Sequence, residues 1–369
     1  MILESLELIN FRNYESLSIR FDDRTNIIYG KNAQGKTNIL EAAYVSGTTR
    51  SHKGQRDRDM IRFGTQEAHI KALVRRQNSH QTIDIHLKKG RKKGIAINRV
   101  PVKRASDLLG ILHIIFFSPQ DLNMITDEPQ LRRSFLDSQL CQLDRIYLSD
   151  LNRYNRVLNE RSRLLKDLYD HPDLRDTLDV WDSQLVEYGS RIIDRRRQFL
   201  DELYPLVKEM HYAISGGREE LEMKYDANTT SEEFEASLKK SRQRDERLGQ
   251  NTVGPHRDNI SFSINGADVR KFGSQGQQRT CALSLKLSEI SLVEKRIHDT
   301  PVLLLDDVLS ELDSTRQNLL LDNLRSTQTI ITCTGLDEFI NNRFTIDRLF
   351  EVNEGRIVER DNTSNSKGF

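Results

Sequence analysis

Eight consecutive residues near the start of the chain match a pattern that binds phosphate groups. The run is Gly30-Lys31-Asn32-Ala33-Gln34-Gly35-Lys36-Thr37, which fits G-x-x-x-x-G-K-[ST] at every position. In this pattern the glycines let backbone N–H groups turn toward phosphate oxygens, the lysine neutralises β/γ-phosphate charge, and the Thr hydroxyl binds Mg²⁺. An apolar segment precedes the run and good helix formers follow it, so the run lies between a predicted strand and a predicted helix. The sequence therefore predicts a nucleotide site.

An acidic pair after an apolar run supplies the second half of such a site. Leu303-Leu304-Leu305 is typical of a buried parallel strand, and it leads into Asp306 and Asp307. Open α/β sheets bind ligands at the carboxyl ends of their strands. We expect Asp306 to hold Mg²⁺ through water and Asp307 to act as a general base toward the attacking water. Alone, the pair could equally be a helix N-cap, but with the glycine loop it favours magnesium-dependent ATP chemistry.

The elements that must position these residues alternate between strands and helices, which predicts an α/β fold. Alternating or continuous apolar runs predict strands at 3–28 (a pair), 26–29, 69–75, 81–87, 94–98, 260–264, 302–305 and 328–332. Helices are predicted from Lys36, from near Gly276 and over 313–325. The strands at 69–98 are expected to form an antiparallel meander.

The middle of the chain has a different character. Apolar residues recur at spacings of three and four from 130 to 212, interrupted at His171-Pro172-Asp173. This pattern predicts an antiparallel helical arm, although the same apolar stripes would suit a packed subdomain. We expect residues 1–125 and 246–369 to form the two parts of one ATPase head, and residues 126–245 to form the inserted arm.

Composition limits the class of protein. The 369 residues are 30% charged, the mean hydropathy is -0.62, and the net charge is +1. No apolar run approaches the ~20 residues of a membrane-spanning helix, and an acidic residue at position 4 is unlike a signal peptide. We therefore expect a cytoplasmic protein without a membrane partner. Three widely spaced cysteines predict neither a disulfide nor a zinc site.

Three further segments resemble motifs of the ABC ATPases. Ser274-Gln275-Gly276-Gln277 is similar to the signature motif, Ser310 and Asp313 lie in a segment similar to the D-loop, and Gln120 is similar to the Q-loop glutamine. The resemblance implies that the signature binds the γ-phosphate of ATP held by another subunit. It therefore implies an ATP-dependent homodimer with two sandwiched nucleotides, which hydrolysis releases.

The chain resembles one family within this group, the RecF proteins, from end to end. The resemblance is carried by Asn10-Phe11-Arg12-Asn13-Tyr14, by Gly254-Pro255-His256-Arg257-Asp258 and by the single short arm. It implies a DNA-binding protein of recombinational repair and replication restart, which engages single-strand gaps or single-strand/double-strand junctions. It also implies that the protein helps load recombinase with a RecR-type mediator and supports the SOS response.

Two departures from the wider ABC pattern predict slow hydrolysis. The position of the transporters' switch histidine reads Thr332-Cys333-Thr334, and the general base is Asp307 rather than a longer glutamate. Both changes weaken activation of water, whereas ATP binding and dimerisation need neither.

A cluster of basic residues is the best candidate for DNA contact. Residues 88–104 carry eight Lys or Arg and no acid, which suits salt-sensitive binding to phosphates. The candidates are Lys88, Lys89, Arg91, Lys92, Lys93 and Arg99. A solvated turn without a partner is the alternative for this cluster. The triple Arg195-Arg196-Arg197 is expected on a solvated helix face, and His256 and Arg257 suit either a structural turn or a role near ligand.

Two other functions share the phosphate motifs. One is the soluble ATPase subunit of an ABC transporter, against which the arm and the missing switch histidine argue. The other is a scaffold that does not hydrolyse ATP and uses it only to lock an interface, which substitution of Asp307 would distinguish.

Overall fold

A computed structural model gives the fold, and it describes residues 1–77, 79–324, 327–336 and 345–360. Its strands are β1 (Ile2–Phe11), β2 (Tyr14–Arg20), β3 (Thr25–Tyr29), β4 (Glu67–Arg76), β5 (Ser79–Lys88), β6 (Gly94–Ile97), β7 (Val100–Pro101), β8 (Ile114–Phe117), β9 (Leu221–Asp226), β10 (Asn259–Ile264), β11 (Ala267–Asp268), β12 (Val302–Asp306), β13 (Thr329–Cys333), β14 (Arg348–Asn353) and β15 (Arg356–Arg360). Its α-helices are α1 (Lys36–Thr48), α2 (Pro119–Leu122), α3 (Pro129–Leu143), α4 (Arg145–Asp167), α5 (Leu178–Ile214), α6 (Phe234–Leu248), α7 (Val269–Phe272), α8 (Gln275–Ile297) and α9 (Ser314–Asn323). The predicted strands and helices are present, most within two residues of their expected starts, except that the first helix of the predicted arm is divided into α3 and α4 at Asp144, which caps both.

The chain divides into two compact units. The first unit comprises the described residues of Met1–Leu122 and Leu285–Phe369, and the second comprises Asn123–Ser284. The insertion therefore extends past residue 245, where we expected the arm to end. The reason is strand pairing, because β9 pairs antiparallel with β10, which brings the segment after α6 into the same unit.

The first unit contains the sheet that carries both phosphate motifs. Its order is β15-β14-β3-β13-β12-β8, and all its pairs are parallel except the final hairpin β14–β15. Strands β3 and β12, which precede the glycine loop and the acidic pair, lie on either side of β13. Parallel strands end at the same edge of a sheet, so the two motifs meet there.

The predicted meander forms the second sheet of this unit. Its order is β2-β1-β4-β5-β6-β7, with antiparallel neighbours throughout. Helix α1 contacts strands of both sheets, and its Ile39, Leu40, Ala42 and Val45 are completely buried. Burial of a leucine or isoleucine side chain contributes about 2 kcal/mol, so this apolar helix fixes the loop from which it starts.

The second unit contains the predicted helix pair. Helices α4 and α5 run antiparallel. Tyr147, early in α4, contacts Arg196, and Arg161, later in α4, contacts Asp182, which lies earlier in α5. A 3-10 turn at Pro172–Thr177 occupies the predicted interruption. Arg161 is completely buried and binds Asp182, Asp245 and Asn251, which ties α4, α5 and α6 together.

Some elements were not predicted. Helix α6 lies in the polar stretch 226–250, and the hairpin β14–β15 extends the parallel sheet. The polar composition of residues 361–369 predicts a frayed tail, and these residues lie outside those that the structure describes. Among the helices that the structure describes, none combines the length and apolar character needed to cross a membrane.

Candidate ATP and DNA sites

The glycine loop at residues 30–37, here called the phosphate loop, has a backbone that other residue types would strain. Gly30 has φ +150°, and a Cβ there would lie 2.3 Å from the carbonyl oxygen of Val352. Gly35 has φ +110°, and a Cβ there would meet the Asn13 side chain. Lys36 points back into the loop, where its Nζ donates to the carbonyls of Gly30 at 2.6 Å and Lys31 at 3.0 Å. The loop and its lysine therefore surround one small polar space.

Asn32, Ala33 and Gln34 complete the loop, and Ala33 also has positive φ.

The turn between β1 and β2 holds the phosphate loop from outside. Asn13 Nδ2 donates to the carbonyl of Gln34 at 3.0 Å, and the buried Tyr14 hydroxyl donates to the carbonyl of Gly35 at 3.1 Å. Burial raises the pKa of Tyr14 far above its usual range, so it remains a donor. Both residues belong to the segment 10–14 that carried the family resemblance. Sequence reasoning gave them no role, because their partners lie twenty residues away.

The two predicted magnesium ligands lie side by side. Thr37 Oγ1 donates to Asp306 Oδ1 at 2.8 Å, although the residues are 269 positions apart. The hydroxyl of Thr332, at the end of β13, donates to the same Asp306 oxygen at 2.8 Å. A hydroxyl and a carboxylate are hard oxygen donors of the kind that Mg²⁺ prefers, so this pair fits the ion. The carboxylate is bound by hydroxyls and caps no helix, which decides against the N-cap alternative for Asp306.

Asp307 has an unusual backbone and a perturbed carboxyl group. Its φ is +52°, and its N–H donates to the carbonyl oxygen and the hydroxyl of Thr332, each at 3.1 Å. Burial raises the pKa of Asp307, while the nearby Lys36 ammonium opposes that shift. Burial likewise lowers the pKa of Lys36, against the attraction of Asp307 and Asp306. The lysine and both carboxylates therefore share one partly desolvated space at the edge of the sheet.

Gln120 lies at the same edge of the sheet. It belongs to α2, which begins directly after β8, and β8 pairs in parallel with β12 so that Phe117 lies opposite Leu305. The Gln120 side chain is exposed. The turn is fixed by Asp121, whose Oδ2 accepts from the Ser118 N–H at 2.7 Å and from the Ser118 hydroxyl at 2.9 Å. The structure therefore brings Gln120 to the edge that carries Asp306.

The segment similar to the D-loop follows the acidic pair directly. Ser310 Oγ donates to the carbonyl of Asp307 at 2.8 Å, within a 3-10 turn at Leu309–Glu311. Asp313 is the N-cap of α9, and its carboxylate accepts from the Arg316 N–H at 3.1 Å. Both side chains thus have clear structural contacts, in addition to the role that the resemblance implies.

The signature segment, Ser274–Gln277, begins helix α8 in the second unit. Ser274 Oγ accepts from the Gln277 N–H at 3.2 Å, and Gln277 Oε1 accepts from the Ser274 N–H at 2.9 Å. This reciprocal pair is a capping box, which satisfies two N–H groups at the helix start. Gln275 and Gly276 lie between these residues in the first turn, with Gln275 exposed. A helix N-terminus of this kind is suited to an anion.

The basic residues at 88–104, here called the basic hairpin, are mostly exposed, with one exception. The side chains of Lys88, Lys89, Arg91, Lys92 and Arg99 are accessible to solvent. Lys88 is exposed although its Nζ lies 3.4 Å from Glu67 Oε2. Lys93 differs because it is more buried, and its Nζ donates to Asp57 at 2.7 Å and to the carbonyl of Thr49 at 2.5 Å. Lys93 therefore attaches the hairpin to the segment after α1. Because its ammonium group binds other groups of the protein, Lys93 is removed from the candidates for DNA contact.

His256 and Arg257 make structural contacts. His256 Nδ1 lies 2.7 Å from the Tyr154 hydroxyl, and its Nε2 lies 3.2 Å from the carbonyl oxygen of Asn251, to which Arg257 also donates at 2.9 Å. Burial lowers the pKa of His256 to about 4, so the ring is neutral near pH 7. These residues hold the start of the β10 segment within the second unit.

The expectation of a solvated face for Arg195-Arg196-Arg197 is wrong for the central residue. Arg196 is 2% exposed and binds the Asp258 carboxylate at 2.9 Å and the Pro255 carbonyl at 2.6 Å. Its position on α5 directs it inward, while Arg195 and Arg197 are more exposed. A run of charge does not show which member faces the interior, because successive helical residues point in different directions.

Comparison with known proteins identifies the family. Residues 2–357 match the family model described as RecF/RecN/SMC N terminal domain. A protein of Agathobacter rectalis named DNA replication and repair protein RecF is 61% identical over 357 residues, covering 97% of this chain and 99% of the relative. A protein of the same name from Lachnoclostridium phytofermentans is 54% identical over 357 residues, with the same coverage.

Solved structures agree with the sequence relatives. The structure of the recombination mediator protein RecF-ATPrS in the RecFOR pathway has a TM-score of 0.90 at 34% identity, covering 97% of this chain and 98% of its own. An Smc head bound to the C-winged helix domain of ScpA has a TM-score of 0.58 at 16% identity, which supports the ABC-type head fold alone. The relatives are DNA repair proteins, which decides against a transporter subunit. The chain belongs to the RecF family of DNA replication and repair proteins.

Proposed function

We propose that this protein is an ATP-dependent DNA-binding protein of recombinational repair and replication restart, which acts as a dimer that ATP assembles and slow hydrolysis releases. The observation that carries the proposal is the grouping of Lys36, Thr37, Asp306 and Asp307 at one edge of the parallel sheet. The RecF relative with ATPrS, whose chain this protein matches over nearly its whole length, supports ATP as the ligand.

Each residue of the site has a role that its contacts support. The phosphate loop would bind the phosphates of ATP through its backbone N–H groups and Lys36, whose Nζ contacts the carbonyls of Gly30 and Lys31 within the loop. Thr37 and Asp306 would hold Mg²⁺, which neutralises charge on the β- and γ-phosphates. Asp307 would accept a proton from the attacking water, and exposed Gln120 would orient that water.

The proposed dimer rests on the resemblance of Ser274–Gln277 to the ABC signature, and the chemistry of this segment supports it. Ser274 begins a helix whose N-terminus attracts anions, and its exposed side chain is available to a ligand from outside the protomer. We propose that this end binds the γ-phosphate of ATP held by a second copy. Ser310 and Asp313 would contact that second copy.

The exposed members of the basic hairpin are the proposed DNA surface. Lys88, Lys89, Arg91, Lys92 and Arg99 offer charge without base-reading geometry, which suits recognition of gaps or junctions through phosphates. By family membership we further propose action in the cytoplasm with a RecR-type mediator, loading of recombinase, and support of the SOS response.

Measurement of mass in solution tests the central claim. Wild type, Lys36→Met and Ser274→Arg are compared by sedimentation with and without ATP and gapped DNA. We expect ATP to dimerise the wild type alone, and the dimer to bind DNA less tightly as salt rises. A wild type that binds ATP but stays monomeric would show that the proposed dimer is wrong.

A further inference from the structure

A chain of hydrogen bonds connects the signature segment to the last turn of the long helix α5. Gln277 Nε2 donates to Glu219 Oε1 at 3.0 Å. Glu219 Oε2 lies 3.1 Å from His211 Nε2, and His211 Nδ1 lies 3.3 Å from Ser284 Oγ. His211 belongs to α5, Glu219 to the segment before β9, and Ser284 to α8. Three separate parts of the second unit therefore meet behind the signature.

The chemistry of the two central groups fixes the direction of each bond. Glu219 accepts a hydrogen bond from Gln277, and an ionised carboxylate can only accept, so His211 Nε2 must carry the proton directed at it. His211 is completely buried, and burial lowers its pKa while Glu219 opposes the shift. The neutral ring then has an acceptor at Nδ1, which lies 3.3 Å from the Ser284 hydroxyl, and the single proton of that hydroxyl is also directed at the Thr280 carbonyl at 2.8 Å.

The Gln277 amide belongs both to this series of hydrogen bonds and to the capping box at Ser274. Its oxygen accepts from the Ser274 N–H, and its nitrogen donates to Glu219. Both ends of the amide are thus occupied, and its plane is held in one orientation. Removing the Glu219 carboxylate frees one end of the amide. The cap at Ser274 then loses the constraint that fixes the first turn of α8.

We propose that Glu219 and His211 are positioning residues for the signature segment, which hold Gln277 so that Ser274 meets the ATP bound to a second copy. The inference rests on the proposed ATP-dependent dimer. It goes beyond that proposal because it assigns a role to two residues outside every nucleotide motif and makes the end of α5 part of the signature's support.

Two substitutions of Glu219 separate the hydrogen bond from the charge. Glu219→Ala removes the acceptor, and we expect the ATP concentration needed for half-maximal dimerisation to rise on the order of tenfold. Glu219→Gln keeps an oxygen for Gln277, and its amide can donate to His211 in the other tautomer. For this conservative variant, the ATP concentration needed for half-maximal dimerisation should therefore stay within about threefold of the wild-type value. An equal loss in both variants would overturn the proposal.

Mixing of labelled variants tests whether the defect lies in the signature. In a mixed dimer of Glu219→Ala and Lys36→Met, one site combines an intact phosphate loop with an intact signature. We expect ATP to restore energy transfer between the two labelled proteins, as it should for Ser274→Arg mixed with Lys36→Met. At an ATP concentration that half-saturates dimerisation of the wild type, Glu219→Ala mixed with Ser274→Arg should give much less energy transfer than either mixture with Lys36→Met, because neither protein offers an intact signature.

The outcomes separate the two proposals. If Ser274→Arg is rescued by Lys36→Met but Glu219→Ala is not, Glu219 does not act through the signature and this inference is wrong. If Glu219→Ala dimerises like wild type, the inference is wrong while the dimer stands. If wild type itself stays monomeric with ATP, the proposed function fails and the inference falls with it.

Discussion

The Thr332 hydroxyl donates to Asp306 Oδ1 at 2.8 Å and so binds the oxygen that also accepts from Thr37. Thr332 lies on β13, between the strands that carry the phosphate loop and the acidic pair. It also accepts from the Asp307 N–H, so one side chain positions both carboxylates. Thr332 stands next to the place where transporters have a histidine, and its contacts are with the acidic pair.

Replacing Thr332 by valine should slow hydrolysis more than it weakens ATP binding. The change keeps the shape of the side chain but removes one donor to Asp306 and one acceptor from Asp307. A lost hydrogen bond of this kind costs about 1 kcal/mol, so we expect hydrolysis to fall about fivefold to tenfold. Steady-state phosphate release and equilibrium ATP binding measure the two effects. Thr329→Val, at a buried position on the same strand whose hydroxyl donates to the Thr327 carbonyl, is the matched control. Unchanged hydrolysis in Thr332→Val would contradict this role.

Asp307→Asn should separate hydrolysis from assembly. Burial raises the pKa of the Asp307 carboxyl and Lys36 opposes the shift, as expected for a group that exchanges a proton with water beside a cation. The amide cannot accept that proton, and loss of a general base reduces rates by about a hundredfold or more. ATP should still dimerise the variant, and the dimer should persist longer. Wild-type turnover in the variant would contradict the role of Asp307 as general base, whereas a wild type without turnover would favour the scaffold that does not hydrolyse ATP.

Neutralising the basic hairpin should change the salt dependence of DNA binding. The plot of log affinity against log salt has a negative slope. With Lys88, Lys89, Arg91 and Lys92 replaced by Gln, we expect the magnitude of this slope to decrease by about 3 to 4. Fluorescence anisotropy over a salt series measures the slope. Gln replacements of Lys239, Lys240, Arg244 and Arg247, all exposed on α6, form a control with the same charge change. Equal slopes in the two quadruple variants would exclude the hairpin as the DNA surface.

Lys93→Gln should act on stability rather than on the salt slope. Its ammonium group binds Asp57 and the Thr49 carbonyl and is largely buried. Loss of a partly buried ion pair should lower the free energy of unfolding by about 1 to 3 kcal/mol. Thermal denaturation measures this change. If Lys93→Gln instead reduced the salt dependence of DNA binding and left stability unchanged, Lys93 would belong to the DNA surface.

Acid should destabilise the protein partly through His256. The pKa of this ring is about 4 in the folded protein, below its ordinary value of 6.5, so the unfolded chain takes up the proton first as pH falls. The stability that its neutral form contributes is therefore present above about pH 6.5 and is lost toward pH 4. Between pH 7 and pH 5, the free energy of unfolding should decrease by about 2 kcal/mol more in wild type than in His256→Gln. Urea denaturation at the two pH values checks this, and parallel losses would contradict it.

The sequence predicts the parts of the site that are local and leaves the rest unassigned. The phosphate loop and the acidic pair are contiguous motifs whose flanking periodicity also indicates the parallel sheet. Thr332, Tyr14 and Glu219 act through partners that are distant along the chain, and only folding reveals those contacts. Arg196 and Lys93 mislead for a related reason, because the charge of a residue does not show which way its side chain points.

Helix α1 connects the proposed ATP and DNA surfaces within the first unit. It begins at Lys36 in the phosphate loop and ends at Thr48, next to the Thr49 carbonyl that accepts from Lys93 of the basic hairpin. A nucleotide at one end and DNA at the other would thus act on a single buried helix. If that helix carries a coupling free energy, reciprocity requires ATP to change the affinity for DNA by the same factor by which DNA changes the affinity for ATP.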